Sequence, residues 1–281
     1  MRVAVVGHVE WVEFLRVPHL PSAGEIVHAT DAWAEPAGGG SVAAVQLYKL
    51  AGAADFFTAL GDDELGGRAH DQLAELGLRL HVAWRDEPQR RGVTFVDERG
   101  ERTITVIGDR LAPRGADSLP WDELAAMDGV YFTGGDVEAL RFARAARVLT
   151  ATPRTLGTLH VAHVELDALV GSARDAGEVY VPGEIDPLPR LYVATEGADG
   201  GTMTPGGHFD AVPLPGPVVD TYGAGDSFAA GLTYGLAAGM PATEAVALAS
   251  RCGAAALTGR GAFAGQLRFD RRAGGGDHRG V

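Results

Sequence analysis

A glycine-rich turn followed by a carboxylate lies late in the chain. Residues 220–232 read Asp-Thr-Tyr-Gly-Ala-Gly-Asp-Ser-Phe-Ala-Ala-Gly-Leu, a turn of small residues that leads into a helical pattern. Small residues let the backbone approach a ligand closely, and the first N–H groups of a helix have no acceptor within it. Such a turn is suited to binding an anion. Asp226, in the predicted first helical turn, places a carboxylate beside that anion.

Two roles for Asp226 fit this local pattern. A carboxylate beside a bound phosphate can take the proton of a hydroxyl as that hydroxyl attacks phosphorus. The backbone N–H groups of Ala224, Gly225 and Asp226 would then stabilise charge on the transferred group. An aspartate can also cap a helix without any catalytic role. The glycine-rich turn alone does not decide between these roles.

The basic residues exclude two common designs for phosphoryl transfer. Lys49 is the only lysine among the 24 Lys and Arg residues. It stands outside the Gly-Lys-Ser/Thr of a P-loop and outside a Val-Ala-Ile-Lys strand of the protein kinase type. Schiff-base chemistry is excluded unless Lys49 performs it. The net charge of −13 argues against a nucleic-acid-binding surface.

Cysteine content and hydropathy limit the environment of the protein. The single cysteine, Cys252, excludes an intrachain disulfide and a cysteine-cluster metal site, and its Ala-rich surroundings predict a small core residue. No apolar run approaches the ~20 residues of a membrane span. The apolar stretch at the N-terminus is too short for a signal peptide. We therefore expect a cytoplasmic protein with no membrane partner.

The elements that would position Asp226 alternate between strand and helix. Short apolar strand patterns occur at residues 2–7, 53–60, 130–132 and 191–194. Helical spacing occurs at residues 41–50 and 66–76. This alternation predicts an α/β fold with a doubly wound, mostly parallel sheet flanked by helices.

Two segments break this rhythm and predict a second, smaller sheet. Residues 24–35 have an extended pattern, and residues 92–107 contain two β-rich runs around a hairpin turn. We expect a small β-sheet lid built from about 10–36 and 90–108, with a pair of unconnected surface hairpins as the alternative. One domain would span residues 1–265, and the Gly-rich and charged residues 266–281 would form a disordered tail.

The segment from Asp220 to Asp226 closely resembles the Asp-Thr-x-Gly-Ala-Gly-Asp signature of ribokinase-like (PfkB) sugar and nucleoside kinases. The resemblance implies a ribokinase-like fold that transfers a phosphate from ATP, with Mg²⁺, to a hydroxyl of a sugar-like substrate. It makes Asp226 the catalytic base and Gly223, Ala224 and Gly225 an anion hole. Asp220 would organise a loop where some members bind a monovalent cation such as K⁺. Because lids of relatives often pair, it also implies a homodimer through the lid, with Trp33 and the edge of the 92–107 hairpin at the contact.

Further segments resemble the family in the same order along the chain, over roughly residues 1–265. Pro21 to Glu25 resembles the Pro-x-x-Gly-Glu turn, and Gly38, Gly39 and Gly40 resemble the glycine loop that binds the substrate. Residues 257–262 resemble the loop beside the adenine and cation sites. The resemblance also implies that one turn contacts the nucleotide phosphates, and this turn contains Thr195, Gly197, Gly200 and Gly201.

Three departures from the family pattern concern the substrate and the metal. Glu10 and Val12 stand where relatives carry an Asn and an Asp that hold substrate hydroxyls, so Glu10 is the candidate acceptor, with Glu13 as the alternative. Val42, Ala43 or Ala44 replaces a substrate-binding Asn, and none of their side chains can form a hydrogen bond. The Asn-x-x-Glu motif becomes residues 172–175, which makes Asp175 the candidate for Mg²⁺, with direct contact of Arg174 to phosphate as the alternative. These departures suggest a substrate unlike ribose, or a weakened enzyme that serves as a ligand-binding or regulatory protein.

Other readings of the sequence have less support. Gly225 to Phe228 resembles an esterase nucleophile block, but it lies late in the chain, and only His278 follows it as a potential partner. His160 and His163, near Glu165, have loose spacing for a metal site. Residues 134–136 suit either a ligand-binding strand end or a tight turn. No Gly-x-Gly-x-x-Gly follows the first strand, which argues against a nicotinamide-binding fold.

Overall fold

Thirteen strands, six α-helices and three short 3-10 helices make up the regular structure of residues 1–269, which are the residues that the computed structural model describes. The strands are β1 (Val3–Val6), β2 (Glu10–Arg16), β3 (Asp31–Ala37), β4 (Asp55–Gly61), β5 (Arg79–Arg85), β6 (Arg91–Val96), β7 (Arg102–Ile107), β8 (Gly129–Phe132), β9 (Val148–Ala151), β10 (Ala168–Ser172), β11 (Tyr192–Thr195), β12 (Gly201–Thr204) and β13 (Gly207–Phe209). The helices are α1 (Gly39–Ala51), α2 (Glu64–Glu75), α3 (Val137–Ala143), α4 (Leu156–Ala162), α5 (Ala224–Ala237) and α6 (Ala242–Ala256).

The larger sheet has the order β13-β12-β11-β10-β9-β8-β1-β4-β5. Its strands run parallel from β5 across to β11, and β12 and β13 complete one edge in antiparallel orientation. Helices cover both faces, as the prediction of a doubly wound sheet requires. The carboxyl ends of the parallel strands therefore meet at one edge, where α/β proteins bind ligands.

Strand β1 shows why the chain adopts this architecture. Its four residues are all buried, with Val3 and Val5 facing a core that contains α1, α2, α5 and α6. Ala4 and Val6 face the opposite core, which contains α3 and α4. A strand covered on both faces reads as a continuous apolar run because its alternate side chains enter two different cores.

A separate four-stranded sheet has the order β3-β2-β6-β7 and occupies the segments predicted to form a lid, so we call it the lid. The extended pattern at residues 24–35 is correct only in part, because β3 begins at Asp31. Residues 22–25 form a turn instead, in which the Glu25 N–H donates to the Ser22 carbonyl over 3.0 Å. Strand β7 is exposed along its whole length and forms an unpaired edge of the lid within the described residues.

The folded part of the chain extends past residue 265, where the sequence predicted a disordered tail to begin. The Gln266 side-chain amide donates to the Val42 carbonyl over 2.8 Å, and Gln46 donates to the Leu267 carbonyl over 2.7 Å. Residues 266–269 thus pack against α1, while residues 270–281 lie outside the described part. Cys252 is buried in α6, as predicted. None of the helices within residues 1–269 is long and apolar enough to cross a bilayer.

Candidate active site

Asp226 lies in the first turn of α5, directly beside the start of α1. A methyl group added to Gly39 would lie 2.7 Å from Oδ1 of Asp226 and 3.2 Å from Oγ1 of Thr133. Thr133 follows β8 at the carboxyl edge of the sheet. The structure therefore brings together the glycine loop, the end of a central strand and the predicted base.

The glycine loop owes its position to close backbone approaches. A methyl group on Gly40 would meet the His8 carbonyl oxygen at 2.5 Å, so α1 can start beside the end of β1 only if this residue lacks a side chain. Gly38 has φ +86° and donates its N–H to the Tyr222 hydroxyl over 3.1 Å. The loop is thus joined directly to the segment that carries Asp226.

Three backbone N–H groups at the start of α5 remain free within the described residues. The first helical hydrogen bond of α5 runs from the Ser227 N–H to the Gly223 carbonyl over 2.9 Å, and Ala224, Gly225 and Asp226 donate to no carbonyl. Gly223 has φ +75°, which lets the chain turn sharply into the helix. A methyl group on Gly225 would meet no atom within 4 Å. The helix start therefore offers three free donors with open space beside Gly225, which suits the binding of an anion.

The acidity of Asp226 departs strongly from that of an ordinary aspartate. The carboxyl keeps some contact with solvent, but burial raises its pKa to about 7, and the negative charge of Glu178 adds to this effect. Arg102 and Arg154 act in the opposite direction. Such a carboxyl can exchange a proton near neutral pH, as a general base must.

Glu178 is a site residue that the sequence analysis missed. Its Oε2 accepts the Ser172 N–H over 3.0 Å, and its Oε1 accepts a hydrogen bond from Nε of Arg154 over 2.7 Å. Asp175, the predicted metal residue, is hydrogen-bonded to Nη2 of the same arginine. Of the two carboxylates, only Glu178 is among the main electrostatic influences on Asp226.

A second pair of carboxylates lies behind the signature turn. Asp220 is fully buried and accepts the N–H groups of Tyr222 over 2.9 Å and Gly261 over 3.1 Å. Glu35, also missed by the sequence analysis, accepts the Ala262 N–H over 2.7 Å. Burial raises the pKa of both carboxyls, and the charge of Asp220 raises that of Glu35 further. A buried carboxylate and a half-buried one beside it are suited to hold a small cation.

The predicted substrate acceptor, Glu10, lies at the start of the lid and is paired with an arginine. Its Oε1 is 2.8 Å from Nε of Arg90, and both side chains are largely buried. Burial raises the pKa of Glu10, which Arg90, Arg110 and Arg154 partly oppose. Val42, Ala43 and Ala44 are fully buried in the core, so none of these three positions offers a polar side chain to a ligand.

The predicted nucleotide turn follows β11. Thr195 ends that strand and donates its hydroxyl to the Gly171 carbonyl over 3.3 Å. Gly197 and Gly200 adopt positive φ values of +64° and +81°, which produce a sharp turn into β12, where Gly201 begins the strand. The turn lies at the carboxyl edge of the sheet, on the strand next to the one that precedes Glu178.

The minor candidates take structural positions. His160 and His163 contact the carbonyls of Glu184 and Asp186, and Glu165 pairs with Arg190. Asp136 caps α3 by accepting the Ala139 N–H over 2.8 Å.

The potential esterase nucleophile and one cluster of possible metal ligands have positions that do not support a catalytic role. Ser227, the potential esterase nucleophile, is fully buried, and His278 lies outside the described residues. Asp55, His81 and Glu123 lie close enough to share a metal, but Asp55 begins β4 at the opposite edge of the sheet from Asp226, and Arg79 already pairs with it.

Comparison with known proteins agrees with this architecture. The model of the pfkB family of carbohydrate kinases matches residues 1–152 and 154–267. An ATP-dependent ribose-1-phosphate kinase of Halopiger xanaduensis is 30% identical over 276 residues, which cover 90% of this chain and 91% of that protein. A fructokinase of Klebsiella pneumoniae is 30% identical over 274 residues, which cover 81% of this chain and 87% of that protein.

Solved structures of ribokinases share the fold. The ribokinase of Thermotoga maritima matches with a TM-score of 0.72 at 20% identity, over 95% of this chain and 96% of that one. The Arabidopsis thaliana ribokinase complexed with ribose and ATP matches with a TM-score of 0.71 at 18% identity, over 95% of both chains. These matches confirm a ribokinase-like fold with a small separate sheet. Together with the family model, they show that this chain belongs to the pfkB family of carbohydrate kinases, phosphotransferases that act on hydroxyl groups.

Proposed function

We propose that the protein transfers the γ-phosphate of ATP to a hydroxyl of a sugar or sugar-like molecule, with Asp226 as the general base. The observation that supports this most strongly is the position of Asp226. Its carboxyl, with a pKa of about 7, lies beside three free N–H groups at the start of α5. A hydroxyl bound against the Gly38–Gly40 loop would face the carboxyl, while the transferred group would face the N–H groups.

The proton follows a short path in this arrangement. As the hydroxyl oxygen bonds to the γ-phosphorus, its proton passes to a carboxylate oxygen of Asp226, and the bond from phosphorus to the β,γ-bridging oxygen breaks. A base with a pKa near the working pH is ionised often enough to accept the proton and basic enough to hold it. The N–H groups of Ala224, Gly225 and Asp226 stabilise the charge that accumulates on the transferred group.

The nearby carboxylates suit the cations that such a reaction uses. Glu178 and Asp175 would hold Mg²⁺ through water, because their oxygens already accept hydrogen bonds from Arg154. When bound, Mg²⁺ neutralises charge on the nucleotide phosphates. Asp220 and Glu35 would hold a monovalent cation such as K⁺ behind the anion hole. Residues 195–201 would contact the phosphates of ATP.

The lid supports a homodimer as the working form. Strand β7 leaves its edge unpaired among the described residues and exposes Ile104, Val106 and Ile107. An exposed apolar edge strand pairs readily with another strand. A second copy of the lid would cover this edge, whereas Trp33, also predicted at the contact, lies on β3 at the opposite edge of the sheet.

A ligand-binding or regulatory protein is the rival proposal. Its support comes from the buried Val42, Ala43 and Ala44, which offer no polar side chain to a sugar hydroxyl. Against it stands Asp226, because a pure binding protein has no need for a carboxyl whose pKa is raised to about 7.

One assay separates the two proposals. ADP formation is measured with Mg²⁺ and K⁺ across a panel of sugars, sugar phosphates, sugar acids and nucleosides. A kinase releases ADP only with particular acceptors and yields a phosphorylated product. If no acceptor increases ADP release while ATP or a sugar still raises the melting temperature, the binding protein becomes the better account.

A further inference from the structure

The hairpin of β6 and β7 contacts the segment that leads into α5. Thr221 donates both its backbone N–H and its hydroxyl to the Gly100 carbonyl, each over 3.1 Å. The Thr221 carbonyl in turn accepts a hydrogen bond from Nη1 of Arg102, the first residue of β7. The N–H, the hydroxyl and the carbonyl of Thr221 are therefore all hydrogen-bonded to the lid.

This contact depends on a glycine at the turn of the hairpin. Gly100 is buried and has φ +79°, a conformation that other residues rarely adopt. A methyl group added to it would lie 3.1 Å from Cγ1 of Val218 and 3.2 Å from the carbonyl carbon of Val219. A larger residue would strain the turn and push the hairpin away from residues 218–221.

A second strand of the lid contacts the same segment. Arg16, the last residue of β2, donates from Nη2 to the Val219 carbonyl over 3.1 Å. The rings of Phe14 and Tyr222 meet edge to face, with 5.0 Å between their centroids. The guanidinium carbon of Arg102 lies 5.5 Å from the centroid of the same tyrosine ring. The lid thus holds residues 219–222 through side chains of two strands.

The segment that the lid holds is joined to both parts of the candidate site. The Tyr222 hydroxyl accepts the N–H of Gly38 over 3.1 Å, which connects it to the glycine loop. Gly223 follows directly and turns the chain into α5, where the three free N–H groups lie. The orientation of these donors therefore depends on residues that the lid keeps in place.

We propose that Arg102 is a positioning residue, which holds the lid against Thr221 and thereby aligns the N–H groups of the anion hole with Asp226. This inference rests on the proposed kinase function. Donors stabilise a transferred group only when they are aimed closely at it, and a misplacement of about 1 Å can cost ~10²-fold in rate. A lid that moves away would take the partners of Thr221 with it. Efficient transfer would then require the docked lid.

Arg102 has a second influence that the test must separate from positioning. It lowers the pKa of Asp226, as Arg154 does, whereas Glu178 and Glu10 raise it. Removal of Arg102 therefore leaves less of the base ionised at neutral pH. At about pH 9, roughly two units above the pKa of about 7, the base is ionised with or without this arginine. A loss of rate that persists there reports alignment.

The kinetic test measures transfer of the γ-phosphate in a single turnover at about pH 9, with ATP and acceptor saturating. We expect Arg102→Gln to slow transfer about 10-fold while the Kd for ATP stays unchanged. Arg102→Lys keeps a cationic donor and should recover part of the rate. Arg99→Gln, at an exposed position of the same hairpin, is the matched control and should equal the wild type.

A variant without a change in charge tests the same contact from the other side. Thr221→Val removes the hydroxyl that donates to the Gly100 carbonyl. It should slow transfer at about pH 9 and leave the midpoint of the pH profile in place, and Thr221→Ser should restore the rate. A Thr221→Val variant that transfers at the wild-type rate would contradict the inference.

Hydrogen exchange tests the contact without any turnover. The Thr221 N–H is protected while it donates to the Gly100 carbonyl. The peptide that covers residues 218–223 should therefore exchange about 3- to 10-fold faster in Arg102→Gln than in the wild type or Arg99→Gln. Matching melting temperatures of the variants exclude misfolding as the cause.

Two results would overturn the inference and leave the kinase proposal standing. One is unchanged exchange of this peptide in Arg102→Gln, and the other is a loss of rate that disappears at about pH 9, which would give Arg102 an electrostatic role only. A chain with no turnover at all contradicts the proposed function instead. The exchange measurement still decides in that case whether Arg102 holds the lid.

Discussion

The pKa of Asp226 predicts how catalysis depends on pH. A base with a pKa of about 7 is roughly one-tenth ionised at pH 6 and nine-tenths ionised at pH 8. Since only the ionised form can accept the proton, kcat/KM should rise about tenfold over this interval and level off above it. An aspartate with an ordinary pKa near 3.9 would produce an almost flat profile.

The surrounding charges predict the direction in which the profile moves. Glu178 raises the pKa of Asp226, so Glu178→Gln should shift the midpoint of the profile toward acid. Arg102 lowers that pKa, so Arg102→Gln should shift the midpoint toward alkali. Glu98→Gln, at an exposed position in the lid hairpin, is the matched control and should leave the midpoint unchanged.

The same raised pKa has a cost in folding stability. The carboxyl ionises less readily in the folded state than in the unfolded chain, so it destabilises the fold most fully above pH 7, and the effect disappears as the pH falls toward 4. The rise to about 7 corresponds to at most ~4 kcal/mol at pH 8 and ~2 kcal/mol at pH 5. Because Asp226 keeps some contact with solvent, these are upper values.

The assays are a pH series of kcat/KM for the four proteins and urea unfolding of wild type and Asp226→Asn at both pH values. We expect the Asn variant to be more stable than the wild type at pH 8, with a smaller difference at pH 5. A flat rate profile between pH 6 and 8, together with an Asn variant that is no more stable at pH 8, would refute the reasoning about Asp226.

Three further predictions follow from the same region. Gly39→Ala places a methyl group 2.7 Å from a carboxylate oxygen of Asp226, so kcat should fall at least ~10-fold while the melting temperature changes little, because the side-chain carboxylate can move aside. Gly225→Ala meets no atom within 4 Å and should fold normally, but its methyl group narrows the open space beside the proposed anion hole, so the KM for ATP should rise; an unchanged KM would contradict the proposed role of these N–H groups. Val106→Glu adds charge to the exposed edge of β7 and should shift the protein toward monomer in analytical ultracentrifugation, whereas a wild type that is already monomeric would exclude the lid dimer.

The sequence predicts well those features that depend on neighbouring residues. The turn and carboxylate at residues 220–226 occupy seven consecutive positions, so their relation in space follows from a single turn and helix start. The buried strand β1 is likewise evident from its continuous apolar run. The small sheet occupies the expected segments, although β3 begins only at Asp31, after a turn at Ser22–Glu25 and five residues outside any strand.

The features that depend on distant residues were not predictable in this way. The chain folds back after β10, so that the Glu178 side chain accepts the Ser172 N–H. The spacing of the sequence motif does not include this fold, and it therefore indicated Asp175 instead. Glu35 meets the Ala262 N–H from a different sheet. The pairing of β6 with β7 brings Gly108 beside Arg90, and no local pattern around either residue indicates this approach.

The most direct test of the central claim compares wild type and Asp226→Asn in transfer of labelled γ-phosphate from ATP to the acceptor that the panel identifies. ATP binding is measured in parallel by calorimetry. We expect transfer to fall at least ~10²-fold in the variant while ATP binding is retained, because only the proton acceptor is lost. Transfer at the wild-type rate by Asp226→Asn would contradict the account.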